Sequence, residues 1–276
     1  MHSDWLPQAE DIAFFQSEGY WIAPQLIEAQ QLALLREHMD QVFEGTFETG
    51  RPPWRGYWKP SHGNGLRKTD NAHWADRVLG DLAVDARIGE IAARLMGGTS
   101  TIRLWHDQLL FKPGQGPDAN SAKVGWHQDY HYWQCALEPT LLTAWVAFDD
   151  VDLANGCMQF LPKSHRWGLL PVGNFFDQET ETQMTAIRQS HPEAKPVPVI
   201  LKAGQVSFHH CLTFHGSGPN TTSGPRRSLA IHLMTDATRY GPGTESDGHM
   251  NVELFHPRPG QRFSGPEFPV VFKDPS

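Results

Sequence analysis

Within "GWHQDYHYWQ", residues 125–134, two histidines and a carboxylate occupy alternate positions among bulky aromatic side chains. Residues two apart in a strand share a face, so His127, Asp129 and His131 are expected together, with Gln128 and Tyr130 pointing away. A histidine and an aspartate in that relation offer one nitrogen and one oxygen to a single ion. Alone, the pair does not specify a metal, because histidines also serve as core or surface residues. A distant second histidine would complete a three-donor face with open positions, which suits non-haem Fe(II) and oxygen chemistry. "FHHCLTFHGSGPNTTSGPRRSLAIHLM" supplies a candidate, His215, ahead of a Gly- and Ser-containing turn, two arginines and a strand.

These residues resemble the phytanoyl-CoA dioxygenase family of Fe(II)- and 2-oxoglutarate-dependent oxygenases. The resemblance rests on the pair His127 and Asp129 in "HQDYHYW", on His215 in "HGSG", on Arg226 eleven residues later, and on the intervening "NGCMQFLPKSH". It extends over roughly residues 10–240. It implies Fe(II) on His127, Asp129 and His215, with 2-oxoglutarate and O2 filling the remaining positions and Arg226 gripping the far carboxylate of the cosubstrate. It also implies oxidation of a substrate C–H bond with release of succinate and CO2. Halogenating relatives carry a small residue in place of the carboxylate. Asp129 therefore implies hydroxylation or a related oxidation.

Periodicity agrees with the choice of arginine. In "RRSLAIHLM", Arg226, Ser228, Ala230 and His232 share a face that reads as a polar cavity wall, and Arg227, Leu229, Ile231 and Leu233 read as a face packed on helices. A guanidinium offers the planar fork that holds a carboxylate through two parallel hydrogen bonds. Ser217 matches a family serine on the same carboxylate, and could equally support a turn. Thr143, Trp145 and Ala147 share a face of "LLTAWVAF", where Trp145 matches a family tryptophan near the cosubstrate. His131 would be a surplus fourth donor and is read as facing substrate. Gln108 and Trp133 are further candidates for the substrate wall, with Trp105 and Gln108 also readable as core. His209 and His210 are read as structural, and the spacing of His106, His165 and His232 does not mark them as ligands.

Holding such a site requires a rigid frame. Helical periodicity covers "AEDIAFFQS" and the segment carrying Leu32, Leu35, Met39, Val42 and Phe43, which Gly45 should end; "ARIGEIAARLMGG" is a third helix. Residues 46–72 lack periodicity and are expected to cover an opening. From residue 100 onward, seven or eight short strands alternate with turn residues, as in a sandwich or jelly roll. The expected fold is mainly β: a double-stranded β-helix, cupin-like, with N-terminal helices packed on one sheet. It forms one oxygenase domain over residues 1–276, with a helical part and loop (1–99), a jelly-roll core (100–240) interrupted by an insert (168–195), and an irregular tail (241–276).

Composition excludes several classes. A net charge of −8 and the lack of a basic run argue against a nucleic-acid partner, which would require clustered Lys and Arg. The same lack leaves the polyphosphate of an acyl-CoA without a receptor, so a free small-molecule metabolite is the expected substrate. No window is apolar enough to span a membrane. The three cysteines have no CxxC spacing and are expected as reduced, buried residues. No signal-like segment precedes them, so the expected location is cytoplasmic; oligomeric state is not encoded legibly. Two other readings remain at this level: a cupin-type metalloenzyme without 2-oxoglutarate, and a non-catalytic jelly roll that binds a small molecule.

Overall fold

The computed structural model describes residues 4–54, 65–119, 122–243 and 245–275. The chain begins with α1 (Ala9–Glu18), β1 (Tyr20–Ile22) and α2 (Ala29–Phe43), followed by β2 (Arg67–Asp70), α3 (Arg77–Ala83) and α4 (Ala86–Leu95). The jelly-roll strands are β3 (Thr101–Lys112), β4 (Val124–His127), β5 (Leu141–Ala147) and β6 (Met158–Phe160). After α5 (Thr180–Ser190) come β7 (Val197–Pro198), β8 (Val206–His210), β9 (His215–Ser217) and β10 (Arg226–Thr235). The chain closes with α6 (Met250–Phe255) and β11 (Val270–Lys273).

Local chemistry accounts for the helix boundaries. Gln8 and Asp11 form a reciprocal capping box at the start of α1, and Gly19 ends it in the left-handed region at φ 83°. The carboxylates of Asp76 and Asp85 cap α3 and α4 by accepting from Leu79 N and Arg87 N. In α2 the expected apolar stripe of Leu32, Leu35, Met39, Val42 and Phe43 is buried throughout. Full burial of one such side chain contributes about 1.5–3 kcal/mol, so this stripe is what holds α2 against the sheet.

All pairing is antiparallel. The larger sheet has the order β1-β8-β5-β10-β3-β11, with β2 also paired to β3; the smaller has the order β4-β9-β6-β7. One face of the larger sheet, including Leu229, Ile231 and Leu233 of β10, packs with α1 to α4 in a single apolar cluster. Its other face meets the smaller sheet, and Trp145, Ala147 and Ala230 cluster there with Met158 and Phe160. This is the expected jelly roll with N-terminal helices on one sheet, and β10 divides its two faces along the expected alternation.

Three expectations need correction. The stretch taken as loop, residues 46–72, contains β2, and residues 55–64 of it lie outside the described residues. The tail is not irregular: it contains α6 and β11, and β11 pairs with the start of β3. The strand expected through "GWHQDYHYW" ends at His127, and Asp129–His131 is a 3-10 turn. The insert does carry the expected helix, α5. All three cysteines are free and buried, and no described helix is long and apolar enough to cross a membrane.

Candidate active site

His127 is the last residue of β4 and His215 the first of β9, and the register places them opposite one another. Their ring centroids are 4.1 Å apart. The 3-10 turn after β4 swings Asp129 back, so that its Oδ1 lies 3.6 Å from Nε2 of each histidine. The donor atoms of these three buried residues all fall within 4.8 Å of one another. His127 Nδ1 bonds Gly125 O at 2.8 Å and His215 Nδ1 bonds Thr213 O at 3.0 Å. A carbonyl only accepts, so each Nδ1 carries a proton, which leaves Nε2, the atom nearest Asp129, as the nitrogen each ring offers to a metal.

The larger sheet supports this triad from below. Its register aligns His209 (β8), Thr143 (β5), His232 (β10) and His106 (β3) in one row across four strands. Thr143 Oγ1 donates to Asp129 Oδ2 at 2.7 Å and contacts His232 Nδ1 at 2.8 Å. Because the hydroxyl proton is committed to the carboxylate, His232 Nδ1 is the donor in the second bond. His209 Nε2 lies 3.3 Å from the same Oδ2.

Burial works against the Asp129 carboxylate, but the surrounding histidines, His215 first, hold its pKa well below the ordinary value. Burial, reinforced by His127, lowers that of His215 well below normal. The site therefore presents an ionised oxygen on Asp129 and a neutral nitrogen on His215, the forms that ligate a metal.

Arg226 lines the same cavity, and Lys112 backs it through Ser217, with burial pushing the Lys112 pKa well below its ordinary value. Arg226 on β10 and Lys112 on β3 are register partners, and both are buried. Lys112 Nζ donates to Ser217 Oγ at 2.7 Å, and Arg226 Nη1 donates to Gly156 O at 3.0 Å. The Arg226 guanidinium stands 5.2 Å over the Trp145 ring, and its Nε has no hydrogen-bond partner. Among the described residues, no carboxylate pairs with either cation. Burial lowers the Arg226 pKa to about 10, which still leaves it charged at neutral pH.

The triad, Trp145, Ser217 and Arg226 line a narrow cavity of about 40 Å³. A second cavity of about 170 Å³ shares Gln108, His127, Asp129 and Phe175 with it and extends past Trp133 and His106. Of the expected substrate residues, Gln108 and Trp133 line these cavities, whereas His131 does not. A 3-10 turn advances about 120° per residue, so the two-residue alternation that would have placed His131 beside Asp129 does not apply. Trp105 is buried in a separate apolar cluster.

Thr143, expected beside the cosubstrate with Trp145, lines the same cavity as Arg226 and also bonds Asp129. Two residues of the site were not anticipated: His209, expected to be structural, adjoins Asp129, and Lys112 holds Ser217. The signal for Lys112 was present in "HDQLLFK", where Gln108, Leu110 and Lys112 share a face.

Two facing antiparallel sheets with a His-Asp-His donor set between them are a jelly roll with a candidate metal site. The chain belongs to the phytanoyl-CoA dioxygenase (PhyH) family, whose model matches residues 15–228. Peroxisomal phytanoyl-CoA dioxygenase of Rattus norvegicus is 27% identical over 166 residues, 58% of this chain and 48% of that protein. The chain thus spans about half the length of that relative. A probable alpha-ketoglutarate-dependent hypophosphite dioxygenase of Stutzerimonas stutzeri is 27% identical over 234 residues, covering 81% of this chain and 77% of that one. Among solved structures, the epimerase SnoN in complex with Fe3+, alpha ketoglutarate and nogalamycin RO is similar at a TM-score of 0.75 and 26% identity, covering 95% of this chain and 97% of that one.

Proposed function

We propose that the protein, as a single oxygenase domain, oxidises an unactivated C–H bond of a small-molecule metabolite, with 2-oxoglutarate converted to succinate and CO2. The observation that carries this reading is Arg226: a buried guanidinium that no carboxylate pairs among the described residues, in the cavity that also holds the triad. A dicarboxylate would supply the missing contact, with one carboxylate beside the histidines and the other on the Arg226 fork and the Ser217 hydroxyl, which Lys112 Nζ holds. A cupin-type enzyme without this cosubstrate, or a binding module, has no use for that guanidinium.

His127, Asp129 and His215 would hold the iron. Bound there with 2-oxoglutarate and O2, Fe(II) supplies the oxidising power for C–H cleavage, and the protein supplies placement. Thr143 fixes the Asp129 carboxylate and Trp145 supports the guanidinium from beneath. Phe175 and Trp133 keep water away from the edge where substrate must approach. The wider cavity suits a small metabolite, and its described residues include no cluster of cations for the polyphosphate of an acyl-CoA.

The test is direct. Under anaerobic conditions, Fe(II) and 2-oxoglutarate added to the purified protein should produce a weak visible charge-transfer band, and Asp129→Ala should abolish both the band and succinate release. Folded protein that binds iron yet gives no band, or an Asp129→Ala variant with full activity, would refute the assignment.

A further inference from the structure

The second cavity contains more unmet hydrogen-bonding capacity than the iron and cosubstrate use. His106 and His249 line it, and His232, which lines the narrower cavity, packs on His106, with ring centroids 4.4 Å apart for His106 and His232 and 5.4 Å for His106 and His249. Trp133 lies edge-on to the first two, its centroid 5.7 Å from His106 and 4.7 Å from His232. Both ring nitrogens of His106, Nε2 of His232 and Nε2 of His249 are buried without a hydrogen-bond partner.

Their tautomers follow from the bonds the rings do make. His249 Nδ1 accepts from Asn251 N at 3.2 Å, so its proton sits on Nε2, a free donor. His232 donates through Nδ1 to Thr143, which leaves Nε2 a free acceptor. A neutral His106 provides one of each. Burial keeps the three rings uncharged, lowering His106 well below its ordinary value, His232 to about 4 and His249 to about 3. Among the other described residues of the cavity, Lys68 and Asp70 neutralise one another, with Lys68 Nζ 2.7 Å from both carboxylate oxygens.

We propose that this cavity binds an uncharged, hydroxyl-rich ring compound such as a glycoside, with its hydroxyls paired to His106, His232 Nε2 and His249 Nε2. A hydroxyl both donates and accepts, so a few of them satisfy this mixed set, whereas an acyl chain leaves four buried nitrogens unpaired. Among the described residues of the wall, Lys68 is paired with Asp70 and Asp129 belongs to the candidate metal site, so a charged ligand finds no free counter-charge among them. The ring's C–H face rests on Trp133, and its reactive carbon lies toward the edge shared with His127 and Asp129. The inference deepens the proposed function and rests on it for the chemistry, though not for binding.

The experiment titrates protein loaded with Fe(II) and 2-oxoglutarate, under anaerobic conditions, with phenyl β-glucoside, methyl β-glucoside, arginine and palmitoyl-CoA. Binding is read by calorimetry, and succinate release is then followed in air. At least one glucoside should bind more tightly than arginine or palmitoyl-CoA and should raise succinate release several-fold. Tighter binding of arginine or palmitoyl-CoA, or no calorimetric signal from either glucoside, overturns the proposal. Loss of the charge-transfer band instead overturns the iron–cosubstrate reading, and calorimetry still reports on the cavity. His106→Leu should weaken glucoside binding about tenfold, while His106→Gln, which retains a donor and an acceptor, should stay within about threefold of the parent.

Discussion

Arg226 and Thr143 show how single side chains divide the work of the site. Charge-assisted hydrogen bonds contribute about 1.5–3 kcal/mol, so Arg226→Ala should raise the KM for 2-oxoglutarate about 10- to 100-fold. Arg226→Lys should recover only part of this, because an ammonium lacks the planar fork. Lys112→Met should raise the same KM, with less effect on kcat. Thr143→Val keeps the shape but removes the donor to Asp129 Oδ2 and the acceptor for His232 Nδ1. Loss of such an outer partner typically costs about 10- to 100-fold in metal affinity, which an Fe(II) titration of the variant checks.

At the level of elements, the site depends on how the insert is fastened to β4. Gly125 N donates to Phe175 O, Trp126 N to Gln183 Oε1 of α5, and Asn174 N to Trp126 O, at 2.9, 2.8 and 3.0 Å. The backbones approach so closely that a Cβ at Gly125 would lie 2.0 Å from Asn174 O. Gly125→Ala must therefore push the insert outward and take Phe175 away from both cavities. A loss of about 1–3 kcal/mol in urea denaturation is expected, together with faster 2-oxoglutarate consumption uncoupled from substrate as water gains entry. A parent-like KM and stability would show that the insert is not part of the site wall.

At the scale of the molecule, several histidines are buried as neutral groups in the metal-free protein. Burial lowers His210 and His232 to about 4 and His249 to about 3, from an ordinary value of 6.5. Above that ordinary value neither state binds the protons, so these groups leave stability unchanged. As the pH falls from about 6.5 toward 4, the unfolded chain takes up protons that the folded chain refuses. Each such group then removes about 1.4 kcal/mol per pH unit. The melting temperature of the apo-protein should fall steadily over that window. His210→Phe, at a residue that lines neither site cavity, should shallow the slope; an unchanged melting temperature between these pH values would contradict the neutral burial of these rings.

Side-chain types and spacing offered His127, Asp129 and His215 as a donor set, because metal ligation demands few residue kinds, and the resemblance to the dioxygenase family, with which strand alternation agrees, made them the expected triad and Arg226 the expected carboxylate anchor. Strand alternation in "RRSLAIHLM" assigned both faces of β10 for a local reason: a two-residue period is fixed by the backbone. The alternation in "GWHQDYHYW" named the right pair by the wrong geometry, since Asp129 reaches the site through a tight turn that also turns His131 out. Lys112, His209 and the row His209–Thr143–His232–His106 depend on which strands lie side by side, which is set by long-range register and sheet closure. Sequence thus determined the chemistry available to this protein, and tertiary structure decided which distant strands bring it to one point.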